Sequence, residues 1–312
     1  MDSWSVKNLV YEVVIEYILR EFFFPSKQFV ARLRLTFICA SVLLCLCYNL
    51  SVAEDETDAI LLPKIHVMPL WSANSTAHRI SAAKMFENNN YIGSMGGAFP
   101  LVSVSRGDKV IQASIASTLY TQLVRPPGHL QVVNVDFFVD LFFDVLVAEN
   151  VVVRFGPGHT SQHLTDDALE LLHYPPSINY VRDYWQLFGC YQIPQFQGNL
   201  YGGFYYNYKF KTQDFDPNTP DDAANRMIYE FGGEIAPLRL APSVFLYTGL
   251  DIKLRGEASF GASQNYQVGV RYSNSDGRTV RFAFNHRAGL EERGQFFLQH
   301  NTFNTFALYF DF

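Results

Sequence analysis

The side chains best suited to chemistry stand in one stretch, Arg154-Phe155-Gly156-Pro157-Gly158-His159-Thr160-Ser161-Gln162-His163-Leu164-Thr165-Asp166-Asp167. His159 and Ser161 are two apart. On a strand they share a face with Cβ atoms ~6.5–7 Å apart, within reach for an imidazole to take a hydroxyl proton. That spacing points to acyl transfer, with Ser161 as nucleophile and His159 as base. An orienter for the histidine would come from Asn179 or Asp183, which share a row with Trp185 and Leu187 on the following segment, or from Glu170 in the loop between. A structural reading stands beside it. If Gly156-Pro157-Gly158 holds a bulge, the facing of everything after it flips, and His159, Ser161 and His163 become a hydrogen-bonded cluster tying a long loop to a sheet rim. Arg154, His163 and Asp166 are then structural members of the motif. A shared metal ion is disfavoured, because His159 and His163 on an extended strand lie ~13 Å apart.

What must position these residues is a set of unusually long strands. Val133, Val135, Phe137, Val139, Leu141, Phe143, Val145 and Val147 make one unbroken apolar row, and Asn134, Asp136, Phe138, Asp140, Phe142 and Asp144 make the other. Only period-two geometry sorts them so. The length exceeds the ~5 residues usual in soluble sheets and suits a tilted bilayer crossing of ~9–11 residues plus overhang. Similar alternation recurs at 78–86, 92–104, 110–123, 151–161, 178–193, 200–211, 227–235, 244–255, 266–272, 280–286 and 302–312, which with 133–147 makes twelve segments. The fold expected is all-β, an antiparallel up-and-down transmembrane barrel of about 12 strands with both ends on the periplasmic side. Long polar connections at 164–177 and 212–225 then fall outside the cell, and residues 164–173 suit a short helix capped by Thr165 or Asp166. Residues 77–312 form the barrel, 54–76 a periplasmic lead-in with Pro63 and Pro69, and 1–53 a leader.

In that leader Arg32 and Arg34 precede an apolar run ending at Ser51-Val52-Ala53, small residues of the kind a signal peptidase reads. Cys39, Cys45 and Cys47 lie inside it, so a mature chain keeps Cys190 and forms no internal disulfide. Removing the leader's five basic and four acidic residues leaves 19 Lys and Arg against 26 Asp and Glu, net −7, which argues against a nucleic-acid partner. With 48% hydrophobic, 16% aromatic and 17% charged residues the chain is too apolar for disorder.

Carrying the parity through, the inward rows hold Asp136, Asp140, Asp144, Arg154, Arg182, Lys209, Glu230, Glu234, Asp251, Lys253, Arg255, Arg271 and Arg281. Both signs are well represented, which favours an ion-paired, filled lumen over a pore selective for one charge. The alternative is a solute channel with an acidic ladder at Asp136, Asp140 and Asp144. The pair His159 and Ser161 shares the lipid-facing row with Val151, Val153, Phe155 and Pro157.

His159, Ser161, His163, Leu164 and Asp166 match a His-x-Ser-Ser-His-Leu-Gly-Asp-Glu run, and the chain resembles the bacterial outer-membrane barrels filed as domain of unknown function 1207. Gln162, Thr165 and Asp167 stand where that pattern has Ser, Gly and Glu. The resemblance extends to Asn179-Tyr180-Val181-Arg182-Asp183, Gly294-Gln295-Phe296-Phe297 and the terminal Phe310-Asp311-Phe312. It implies a barrel in the outer membrane of a Gram-negative cell and supplies no activity. The alternating, aromatic last strand resembles the C-terminal signal read by the barrel assembly machinery, which with outer-membrane lipids is the expected partner. A lipid-facing His-x-Ser pair is similar to the arrangement in outer-membrane phospholipase A and lipid A deacylase, which orient the histidine with Asn or Glu. Two functions follow: a structural or small-solute barrel without cofactor, and a membrane-embedded lipid acyl hydrolase, under which alone calcium enters.

Overall fold

The computed structural model describes residues 57–125, 130–171, 180–211, 226–274, 277–293 and 296–312. The segments expected as a leader (1–53) and a long polar connection (212–225), and Asn179, lie outside them. The alternating rows form β1 (Thr57–Leu61), β2 (Ile80–Met85), β3 (Tyr91–Arg106), β4 (Lys109–Val124), β5 (Gln131–Ala148), β6 (Val151–Leu164) and β7 (Tyr180–Ile193). They continue as β8 (Gly198–Lys211), β9 (Met227–Ala241), β10 (Val244–Arg255), β11 (Gly261–Ser273), β12 (Thr279–Leu290) and β13 (His300–Asp311). All pairings are antiparallel; from β2 to β13 each strand pairs with its chain neighbours, β13 returns to β2, and β1 adds to β3, so the twelve strands β2 to β13 close into a barrel. Short turns crowd one end; β3 reverses into β4 through Gly107, whose φ of 56° is left-handed territory that favours glycine. Among the described residues no helix is long and apolar enough to cross a membrane, which says nothing about strands.

Side chains sort by parity as the sequence requires. On β5 Asp136, Asp140 and Asp144 are buried, while Phe137 and Val139 are more than two-fifths exposed. An outside wall of bare Val, Leu and Phe is costly in water and favourable in hydrocarbon. Parity fails at one expected lumen residue. The register of β7 and β8 slips between Asp183 and Tyr184, which face Lys209 and Asn207, so a β-bulge turns Lys209 to the outer surface while Asn207 stays buried. At Gly156-Pro157-Gly158, where a bulge was the alternative, β6 pairs with β7 without interruption. The glycines there serve close approach. A Cβ on Gly156 would meet the Leu141 carbonyl oxygen at 1.8 Å, and one on Gly158 would meet an Asp140 carboxylate oxygen at 2.0 Å and the Tyr184 ring at 2.3 Å.

The segment expected as a periplasmic lead-in is instead part of the barrel. β1 pairs with β3 at residues 102–106, and β2 pairs with the same strand at 91–94, so two pieces share one strand position. Between them residues 62–79 leave the wall; Leu62, Lys64 and Ile65 stay exposed, and from Met68 on the chain turns into the lumen. Trp71 stacks on Tyr201, ring centroids 4.0 Å apart and nearly parallel, with Phe188, Met68, Val152 and Cys190 around it. Buried backbone must find partners, and here wall side chains supply them. Glu234 accepts from the Ser72 N–H at 2.6 Å, Gln112 accepts from Val67 N–H at 3.0 Å and donates to the Ile65 carbonyl at 2.9 Å, and Asn265 donates to the Ala73 carbonyl. These residues were hard to place from sequence because Pro63, Pro69 and mixed polar residues give them no period.

At the long-loop end, residues Asp167–Leu171 make one helical turn, shorter than expected. Thr165 Oγ1 accepts from Ala168 N–H at 3.3 Å, and buried Ala168 packs on Val133 and Phe296, so the turn covers the rim of β5.

Candidate functional site

β6, β7 and β8 lie side by side and carry the candidate residues on their outward face. His159 stands opposite Asp183 on β7, and Ser161 lies between Phe137 on β5 and Val181 on β7. His159 is nine residues beyond the Glu149-Asn150 turn; at ~3.3 Å per residue and ~40° of tilt it sits ~23 Å up the barrel, near the top of a ~25 Å apolar band. Ser161 and His163 come next, toward the long loops.

Two hydrogen-bonded groups result. His159 Nδ1 lies 2.6 Å from Asp183 Oδ1, and Lys209 Nζ lies 3.2 Å from Asp183 Oδ2, so one carboxylate holds an imidazole and an ammonium. The bulge that turned Lys209 outward is what makes this possible. Ser161 Oγ lies 2.6 Å from Nε2 of His163, so the structure brings the serine to the second histidine of the motif and the first histidine to the carboxylate. His159 and Lys209 are about half exposed. Such ionisable groups beside a lipid-facing row are expensive unless paired, and Asp183 pairs both.

The other predicted residues serve the interior. Arg154 donates to both oxygens of Asp144, at 2.6 and 2.8 Å. Asp140 accepts from Tyr184 and Gln186, both at 2.9 Å, and from His78 at 2.7 Å. Glu230 accepts from Asn74 at 2.6 Å and Tyr205 at 2.9 Å, and Arg271 reaches Glu234 at 3.5 Å. Asp136 is buried with one oxygen unpartnered. Arg182 is buried between Tyr180 and Tyr184. Asp166 stands just before the helical turn at the rim, and the hydrogen-bond partners of His159 and Ser161 among the described residues are Asp183 and His163 instead. Among the described residues no three His, Cys, Asp or Glu side chains converge to hold a metal ion. Sequence reasoning missed His78 and Arg79, which bind wall carboxylates from the lumen-filling segment. Two basic residues directly before an alternating strand, in a stretch with no period, were the available signal.

In backbone the chain is similar to outer membrane phospholipase A from Escherichia coli, with a TM-score of 0.45, 14% identity, and 79% of this chain and 95% of that one covered. It is also similar to OccAB1 of Acinetobacter baumannii, with a TM-score of 0.33, 8% identity, and 81% and 73% covered. OprD of Pseudomonas aeruginosa gives 0.29, 8%, 81% and 74% in the same order. No curated protein matches the chain in sequence. A family model matches residues 45–312, through the His-x-Ser stretch to the last strand, and the chain belongs to that family, described as protein of unknown function (DUF1207).

Proposed function

We propose that this protein is an integral outer-membrane barrel of a Gram-negative envelope, closed to free solute flow by its own residues 62–79, whose outward cluster on β6 to β8 hydrolyses lipid acyl esters. With the short turns and the C-terminus toward the periplasm, the cluster sits at the outer leaflet. The observation that carries the reading is the 2.6 Å contact of Ser161 Oγ with His163 Nε2, next to a histidine held by a carboxylate, on the surface that meets lipid. Ser161 donates its proton to His163 as Oγ bonds to the ester carbonyl carbon; collapse of the tetrahedral adduct breaks the ester C–O bond, and His163 returns the proton to the departing alkoxide. Water then attacks the acyl-serine by the reverse proton route. His159 is held by Asp183 through Nδ1, and Lys209 compensates the carboxylate charge.

A second reading has its own observation. The serine is bonded to the histidine that lacks a carboxylate, and the two pairs are separate, as in a cluster that merely secures the rim. Acyl release from labelled phospholipid and lipid A in mixed micelles, by wild type, Ser161→Ala and His163→Ala, separates them. Hydrolysis predicts loss in both variants, by about 10²-fold or more for the histidine, and phosphonate labelling of wild type that Ser161→Ala abolishes. No release and no label, while a lipase control gives both, leaves the structural barrel.

A further inference from the structure

The lumen is not filled evenly. Beside the segment 62–79 a cavity of ≈ 80 Å³ remains, bounded by β5, β7 and β10. Its charged lining groups are almost all neutralised by neighbours. Arg154 is on Asp144; Asp140 takes three donors; Lys253 is 2.8 Å from Glu292; Arg255 is 2.6 Å from Glu257 and donates to the Glu291 carbonyl. Arg182 differs. It is 9% exposed, lines the cavity, and makes no hydrogen bond or ion pair among the described residues, its Nε buried without an acceptor. Its contacts are two aromatic faces, Tyr180 at 5.6 Å and Tyr184 at 5.5 Å from the guanidinium carbon. Those rings fix the plane of the fork and give it nothing to donate to. The Glu257 carboxylate is near enough to feel its charge but accepts nothing from it; a buried guanidinium without an acceptor is costly, and its planar donors match a carboxylate or phosphate.

We propose that this cavity binds a small oxyanion, the carboxylate or phosphate group of a solute, on Arg182. Space for roughly five to eight waters suits such a group and excludes a lipid or a peptide. Asp140 and Glu292, which also line it, stay occupied by their own partners and restrict the guest to a single compact anionic group. The site is independent of the outward cluster: Arg182 and Asp183 are adjacent in sequence and point to opposite faces of β7.

Titration calorimetry on the detergent-solubilised full chain tests it, with sodium phosphate and sodium acetate in separate arms and sodium chloride at equal ionic strength as reference. Saturable one-to-one binding of phosphate, acetate or both, absent with chloride, is expected, and the arm that saturates identifies the group. Arg182→Gln should weaken it about 10- to 100-fold, the worth of a charged hydrogen bond. Arg182→Lys keeps the charge and should weaken it several-fold; it decides the matter if Arg182→Gln does not fold. No saturation with either oxyanion to tens of millimolar, equal binding of chloride, or unchanged affinity in the folded variants would overturn the proposal.

Discussion

Asp311→Asn is the sharpest test of how the barrel holds its contents. Asp311 is the next-to-last residue, at the end of β13, and its carboxylate meets two guanidinium groups. Arg281 Nε and Nη2 lie 2.7 and 3.2 Å from its two oxygens, and Arg79 Nε lies 3.4 Å away. The side chains of Arg281, Arg79 and Asp311 are 1%, 2% and 5% exposed. Arg79 donates to the Ser72 and Trp71 carbonyls at 2.9 and 2.6 Å, so the last strand grips the lumen segment through it. The amide keeps the shape and removes the charge, leaving two buried cations uncompensated. Breaking a buried pair by removing one partner costs ~3–5 kcal/mol; one amide oxygen still accepts, which places the expectation near ~3 kcal/mol. At ~1–3 kcal/mol per molar urea this lowers the unfolding midpoint by ~1–3 M. A chain starting at residue 54 with Trp185→Phe carries Trp71 as its single tryptophan, so its emission in lipid vesicles reports on the lumen. Glu87→Gln, at an exposed acceptor of Asn304, is the control and should change stability by less than ~0.5 kcal/mol. A midpoint that moves no more in Asp311→Asn than in the control would refute the argument that this ion network anchors the segment.

Gly158→Ala should destabilise the barrel by at least ~1–3 kcal/mol, because its methyl would overlap Asp140 and Tyr184; an equally stable variant would mean that β6 is not pressed against the lumen there. Planar bilayers holding the wild type should pass no steady current of porin kind, and a persistent open level would contradict the filled lumen. Glu291, in the loop after β12, is buried, which alone would raise its carboxyl, yet Arg293 and Arg287 hold it at about 2. Since the folded value lies below the unfolded ~4.5, its contribution, on the order of 3 kcal/mol, is full above that pH and is lost as pH falls toward 2. Wild type should therefore exceed Glu291→Gln in urea midpoint at pH 7 and converge with it near pH 2; a constant difference would remove the carboxylate from the explanation.

Period two made the wall readable. All twelve expected segments became strands because a row such as Val133 to Val147 has one favourable orientation between hydrocarbon and a polar lumen. The outward placement of His159 and Ser161 followed from the same counting, with the register through Gly156-Pro157-Gly158 unbroken. Counting cannot see a bulge, and so Lys209 was put in the lumen when the slip beside Asp183 turns it out. Nor can it choose between histidines. Ser161 lies two residues from both His159 and His163, and its partner is decided by χ angles and by the hold of Asp183 on the first. The lumen segment was least legible, since its conformation is set by Glu230, Glu234, Gln112 and Asn265, residues remote in sequence.

The sharing of one wall position by β1 and β2 bears on how the molecule is made. β1 sits on the lower half of β3, β2 on the upper half, and β13 finishes the circle by zipping onto β2 from Phe310 to Thr305. A cork hung from both ends in this manner has no free tip to push through a finished cylinder. It must be laid across the curling sheet while the last staves are still apart, so that sealing the cask and stoppering it are a single act.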